Sequence, residues 1–407
     1  MDILKSIVKM IAGLLGGIVI GLLIAALGLV GFTDTSFPEF IEVLLSAGFA
    51  ESMGAAGIGV LAFVVSSLFL IPIHEAGHLV CGLLSGYGFV SFRIFSYTVI
   101  KAGGRLRIKR FAVANTGGQC LMTPPALPLE KIPTMFYNFG GVLANIVAVL
   151  LVLPMLYLCD NPFFIESVVV FIFTGIMMIL FNGIPMRISG AGNDAYNMLS
   201  LRKNMVAKLG MVNALRLNAL IQNGIRPKDM PGELFEVPDA VDYGNPLEVS
   251  LPMAAASRHV DEMRYDEAKV EFEELYENRG GMIGLYVKEI ACELVFLRLM
   301  CGDKEGALEL FDNNLRKYIE QFRKMMSSKE RILCAVSLLI DNDRARAVAI
   351  YENLSSREGE YLLQGEVRSD LALMREMLVN DNECDSEKNA YEHRGSERIR
   401  SVVAECY

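Results

Sequence analysis

The chain has 407 residues, a formal net charge of -9 and 53% hydrophobic residues. These averages conceal a break near residue 187: residues 1 to 187 carry 10 Lys or Arg and 9 Asp or Glu, whereas the other 220 carry 28 and 38. A half so lean in charge is not an ordinary water-soluble domain, and the acidic balance of the second half speaks against a nucleic-acid partner.

Four long apolar runs, near residues 10–33, 52–80, 136–159 and 165–186, each reach the roughly 20 helical residues needed to cross a hydrocarbon core. The first follows Lys5 and Lys9 and so resembles a signal peptide. Its apolar part is too long for one and no small-residue cleavage site is evident, so it reads as a span. Pro72, inside the second run, predicts a kink. The loops at 34–51 and 160–166 hold acidic residues and no basic ones. The segment from 86 to 131 holds Arg93, Lys101, Arg105, Arg107, Lys109, Arg110 and Lys131, and Arg187, Arg202 and Lys203 follow the fourth run. Basic loops stay inside, which predicts a multi-pass protein of the cell membrane with both termini cytoplasmic.

The second run ends on HEAGH, with His74 and His78 four residues apart and Glu75 between them. On a helix that spacing presents two imidazoles from one face to a single zinc ion, and Glu75 is placed to take a proton from a metal-bound water. Ionisable residues at the end of a membrane span are costly, which favours function over chance. The remaining histidines, His259 and His393, stand alone in the second half.

Between the second and third runs, residues 87–115 alternate apolar and polar side chains in VSFRIFSYTVI and RLRIKRFAV, predicting a small sheet at the cytoplasmic membrane face. Pro124, Pro125 and Pro128 interrupt regular structure before the third run. A zinc site of this kind needs a third protein ligand. The candidate carboxylates are Glu130, Asp160, Glu166 and Asp194. Because the charge asymmetry puts Asp160 and Glu166 on the outer side, a membrane thickness from the histidines, Asp194 is the best of the four.

At this point the residues resemble the site-2 protease family of intramembrane zinc metalloproteases. Besides HEAGH, the stretch FNGIPMRISGAGNDAYNML matches the later helix of that family, with Asn182 and Pro185 in its first part and Asp194 in the position of the third ligand. FGGVLANIV, with Gly141 and Asn145, resembles a further family feature, which implies that Asn145 orients substrate by hydrogen bonds. Three departures stand out: Ala195 where the family usually has Gly, Val142 where it usually has Pro, and Pro185 nine residues before Asp194. The resemblance covers roughly residues 55 to 200.

After a helical stretch to about residue 223, five prolines between 227 and 252 mark a linker. Ala268 with Phe272, Ala307 with Phe311, and Ala347 with Tyr351 then recur at separations of 39 and 40 residues, each after a polar turn. This suggests helix-pair repeats similar to tetratricopeptide repeats, wider than the usual period of about 34 and hence an irregular α-solenoid. The last residues, 381–407, read as a polar, poorly ordered tail. Eight scattered cysteines without a CxxC pair read as free thiols.

The sequence thus predicts an all-α polytopic membrane domain over 1–200 with a small membrane-associated β insertion, a helix and Pro-rich linker over 201–250, and a cytoplasmic helical-repeat domain over 251–380. The expected activity is hydrolysis of a peptide bond in a membrane-anchored protein or peptide near the cytoplasmic face, with one zinc ion, in the lipid bilayer. The helical repeats are expected to bind a peptide or protein partner. Two alternatives are a membrane zinc protease of the CAAX-processing type, whose third ligand is a Glu, and a catalytically degenerate membrane adaptor.

Overall fold

The computed structural model describes residues 38, 49–102, 105–110, 117–158, 160–188 and 191–380. The expected first span near 10–33, the tail from 381 and His393 lie outside the described residues. Chain contacts divide the protein into two units, the first within Met1–Ser85, Thr134–Met186 and Gly192–Leu199, the second within Gly86–Pro133, Arg187–Ala191 and Ser200–Tyr407.

In the first unit, α1 (Phe49–Leu84), α2 (Thr134–Val152) and α3 (Pro162–Gly183) form one bundle in which each helix packs on the other two. All three are long and apolar enough to cross a membrane, and a 3-10 turn over Leu153–Tyr157 lengthens α2. Their outward residues are large and apolar: Val60 is 66% exposed, Phe69 60% and Leu151 70%. Such a face is at home against lipid chains and costly in water. Helix α3 begins where Asn161 Oδ1 accepts from the backbone N–H groups of Phe163 and Phe164, with Pro162 in the first turn where no donor is needed. α1 continues as helix through Pro72. α1 and α2 meet through glycine: a Cβ on Gly77 would stand 2.2 Å from the carbonyl oxygen of Gly140, so the two backbones touch.

The second unit contains an antiparallel sheet of β1 (Gly88–Ile94), β2 (Tyr97–Ala102), β3 (Arg105–Arg110) and β4 (Gly118–Thr123), in the spatial order β3-β2-β1-β4. The first three strands fall within the expected insertion. The fourth lies beyond it and pairs Phe92 with Cys120 and Arg93 with Gln119. Two short strands, β5 (Arg187–Ile188) and β6 (Ala191–Gly192), precede α4 (Asp194–Lys203). Helix α5 (Met205–Gln222) then packs on β4, and Gln222 donates to Ser91 Oγ at 3.4 Å.

From α6 (Pro246–Asp261) the chain is helical: α7 (Tyr265–Glu277), α8 (Gly284–Met300), α9 (Lys304–Leu310), α10 (Asn313–Phe322), α11 (Ser327–Leu339), α12 (Arg344–Ser356) and α13 (364–380). Their core includes Phe272, Ile290, Phe296, Ile319 and Ile332. Ala268, Ala307 and Ala347 are all buried in it, as their spacing to an aromatic predicts, together with Phe272 and Phe311. Lys329 is fully buried yet charged, paired with Glu289 at 2.7 Å, and Arg331 beside it pairs with Glu293 and Asp370, each at 2.7 Å. The described cysteines Cys81, Cys120, Cys292, Cys301 and Cys334 are free thiols.

Candidate metal centre

His74 and His78 lie one turn apart on α1, so their rings project from one face. Their Nε2 atoms stand 3.3 Å from each other, and Asp194 Oδ2 is 3.0 Å from His74 Nε2 and 3.4 Å from His78 Nε2. Three potential ligand atoms thus converge on one point, and this group could hold a metal ion. Among the described residues it is the group of His, Cys, Asp and Glu with that property.

The far side of each imidazole is also held. His78 Nδ1 lies 2.8 Å from the carbonyl oxygen of Tyr137, an acceptor, so this nitrogen carries a proton and Nε2 is the atom turned toward Asp194. His74 Nδ1 lies 3.1 Å from the side-chain amide of Asn145, which is fully buried. The Oδ1 atom of that amide has no hydrogen-bond partner. Turning the amide over brings Oδ1 onto Nδ1–H and gives both histidines the same tautomer. With both Nδ1 atoms engaged, both Nε2 atoms are placed to offer lone pairs, beside Asp194 Oδ2, to a cation held between them. Asp194 Oδ2 itself is buried and receives no well-aligned hydrogen bond. Burial pushes the Asp194 carboxyl up, whereas donation and positive charge from His74 and His78, where these rings are protonated on the side facing it, outweigh this and bring it down to about 2.

Gly141 makes room for the pair. A Cβ there would lie 2.5 Å from His74 Nε2, inside the ring's own volume, so α2 can approach this imidazole only with glycine at that position. Val142, where the resemblance anticipates proline, is 1% exposed, and α2 runs through it without interruption. Ala195, where the resemblance anticipates glycine, is also 1% exposed, its methyl accommodated.

Of the other carboxylates weighed from sequence, Glu166 stands against Gly59, where a Cβ would meet its Oε1 at 3.2 Å. Gly59 precedes His74 by 15 residues on α1, roughly 22 Å at about 1.5 Å per residue. Asp160 is exposed beyond the opposite end of the same bundle, and Glu130 belongs to the second unit. Glu75 follows His74 directly on α1. Asn182 donates to the carbonyl of Met178 within α3, so it serves its own helix. His259 bonds Glu271 at 2.8 Å in the second unit, away from any metal group.

One residue of the centre escaped the sequence reading: Asn193, whose Oδ1 accepts from the backbone N–H of Tyr196 at 3.0 Å and so caps the helix that Asp194 begins. The available signal was an Asn directly ahead of a helix start, the commonest capping choice. No protein-family model, curated protein or solved structure matches the chain.

Proposed function

We propose that this chain is a zinc peptidase of the site-2 protease type, hydrolysing a peptide bond in a membrane-anchored protein or peptide near the cytoplasmic face. The observation that carries the reading is the triangle of His74 Nε2, His78 Nε2 and Asp194 Oδ2, with edges of 3.0, 3.3 and 3.4 Å. Tetrahedral zinc with bonds of about 2.0–2.1 Å sets ligand edges of about 3.3 Å, so the three atoms match three corners and leave the fourth for water or substrate. Bound zinc supplies a Lewis acid that makes a water nucleophilic near neutral pH and polarises the scissile carbonyl.

The chain's own residues do the rest. His74 and His78 present neutral imidazoles, fixed by Asn145 and Tyr137 behind them. Asp194 adds one negative charge. Glu75 accepts a proton from the attacking water and passes it to the departing amine. The apolar bundle around them excludes bulk water, which strengthens each charge interaction. The Lys and Arg asymmetry of the loops supports a multi-pass arrangement with the centre toward the inner face. In the second unit, neighbouring pairs α6/α7, α8/α9 and α11/α12 each carry an Ala on the later helix with an aromatic four residues on, which supports an irregular helical-repeat module that binds a peptide or protein partner.

Metal analysis of the purified full chain tests the centre. Wild type should hold one zinc ion, and His78→Ala and Asp194→Ala should lose it. Glu75→Gln should keep the metal while turnover falls by about 100-fold or more. Membrane proteomes of cells carrying wild type or Glu75→Gln should then differ by a membrane protein that stays uncleaved in the second. Wild type without zinc, or undiminished turnover in Glu75→Gln, sinks the proposal.

A further inference from the structure

We infer that Asn193 is a positioning residue that sets Asp194 in the metal centre, so that the placement of this ligand does not depend on the residues separating it from α3. The inference rests on the metal-site reading above.

Its basis is that every hydrogen-bonding position of the Asn193 side chain is used. Nδ2 donates to the carbonyl oxygens of Phe181 and Ile184, both at 2.6 Å, and Oδ1 accepts from the backbone N–H of Met186 at 3.2 Å and of Tyr196 at 3.0 Å. An asparagine amide has two donors and two acceptor sites, so it is saturated. The Asn193 backbone N–H also donates to the Met186 carbonyl at 3.1 Å. Met186 and Asn193 are therefore clasped to each other.

The sequence explains why such a clasp is needed. Phe181 would receive its helical hydrogen bond from residue 185, which is proline and has no N–H. Its carbonyl, and that of Ile184 past the helix end, would otherwise lack a partner within the chain. The Asn193 amide satisfies both while its oxygen caps α4. One side chain thereby joins the end of α3 to the first turn that carries Asp194. Other residue types do not substitute: Asp lacks the donors, Ser and Ala the reach, and Gln is a methylene too long. The nine-residue step from Pro185 to Asp194, longer than the resemblance anticipates, is closed at Met186 and Asn193.

Cobalt(II) titration of the metal-free full chain in detergent tests this, because the visible absorption of bound cobalt reports coordination geometry as well as affinity. Wild type should bind with the intense bands of a four-coordinate site. Asn193→Ala should bind about tenfold or more weakly with altered bands, and Asn193→Asp, which keeps the cap but loses both donations, should fall between. Asn182→Ala should match wild type. Inserting two glycines after Ser189 should leave affinity within about twofold in wild type but weaken it further in Asn193→Ala, a coupling that loss of general stability does not produce. Should Asn193→Ala fail to fold, Asn193→Asp and the insertion in wild type still decide. Wild-type affinity and spectrum in a folded Asn193→Ala or Asn193→Asp, or a tenfold loss from the insertion alone, overturns the inference while leaving the metal centre standing. A wild type that binds neither cobalt nor zinc overturns both.

Discussion

Gly141 and Asn145 sit one turn apart on α2 and act on the same imidazole, one by leaving space and the other by holding Nδ1. Gly141→Ala puts a methyl group into the His74 ring, so metal content should drop sharply even where the bundle stays folded, as read by metal analysis beside circular dichroism. For Asn145 the useful contrast is between substitutions. Asn145→Asp keeps an acceptor for Nδ1–H and should retain metal affinity, whereas Asn145→Leu should weaken it by about 10–100-fold, measured by competition with a chelator. Equal affinity in the two variants would remove the hydrogen bond as the cause. The pairing of His74 with His78 was legible in the sequence because a four-residue spacing is local. Asp194 was legible because carboxylates are so few in that half. The contact between Asn145 and His74 spans 71 positions and depends on how α1 crosses α2, which no local pattern encodes. The sequence suggested substrate contact for this asparagine; in the structure its amide lies against His74 Nδ1.

At the scale of elements, the crossing of α1 and α2 depends on two glycines whose backbones touch. A Cβ on Gly140 would stand 2.5 Å from the Gly77 carbonyl oxygen, and Gly54 and Gly57, earlier on α1, have nothing within 4 Å. Gly77→Val or Gly140→Val should therefore lower the melting temperature in detergent, at a cost of about 1–3 kcal/mol, while Gly57→Val leaves it unchanged. A melting curve for Gly140→Val that overlays wild type would show that the helices can part without penalty. The three described membrane-competent helices were readable as long apolar runs. Strand β4 was not, since GQCLMT has a single β-branched residue, Thr123, at its end and no run like those that marked the other strands. Nor was the closure at Met186: counting residues from Pro185 to Asp194 measures along the chain, and the hydrogen bonds of Asn193 act across it.

For the whole molecule, the break in charge density near residue 187 separates the part with three membrane-competent helices from a polar half that carries its own buried charges. Glu366 on α13 illustrates the consequence. Burial raises its carboxyl to about 8, with Asp370, Glu289 and Glu293 adding repulsion and Lys329 opposing. In an unfolded chain the same group titrates near 4.3. Between these values the folded protein binds more protons than the unfolded one, so this group's contribution falls as pH rises from about 5 to about 8. Urea melts of the full chain in detergent at pH 6 and pH 8 should show the loss, and Glu366→Gln should flatten it. A Glu366→Gln chain with the wild-type pH slope would assign the dependence elsewhere.

The length of α1 also bears on how deep the proposed chemistry would lie. Its membrane-competent part, Ala56–Leu84, has 29 residues. At about 1.5 Å per residue this is roughly 42 Å, against a hydrocarbon slab of about 30 Å. Centred on the bilayer, its midpoint falls at Leu70, and His74 stands one turn beyond it, roughly 9 Å beneath the slab's edge. A helical substrate of the proposed reaction would then keep most of its length wound, and only its last two turns on that side would have to open before a peptide bond could meet the metal.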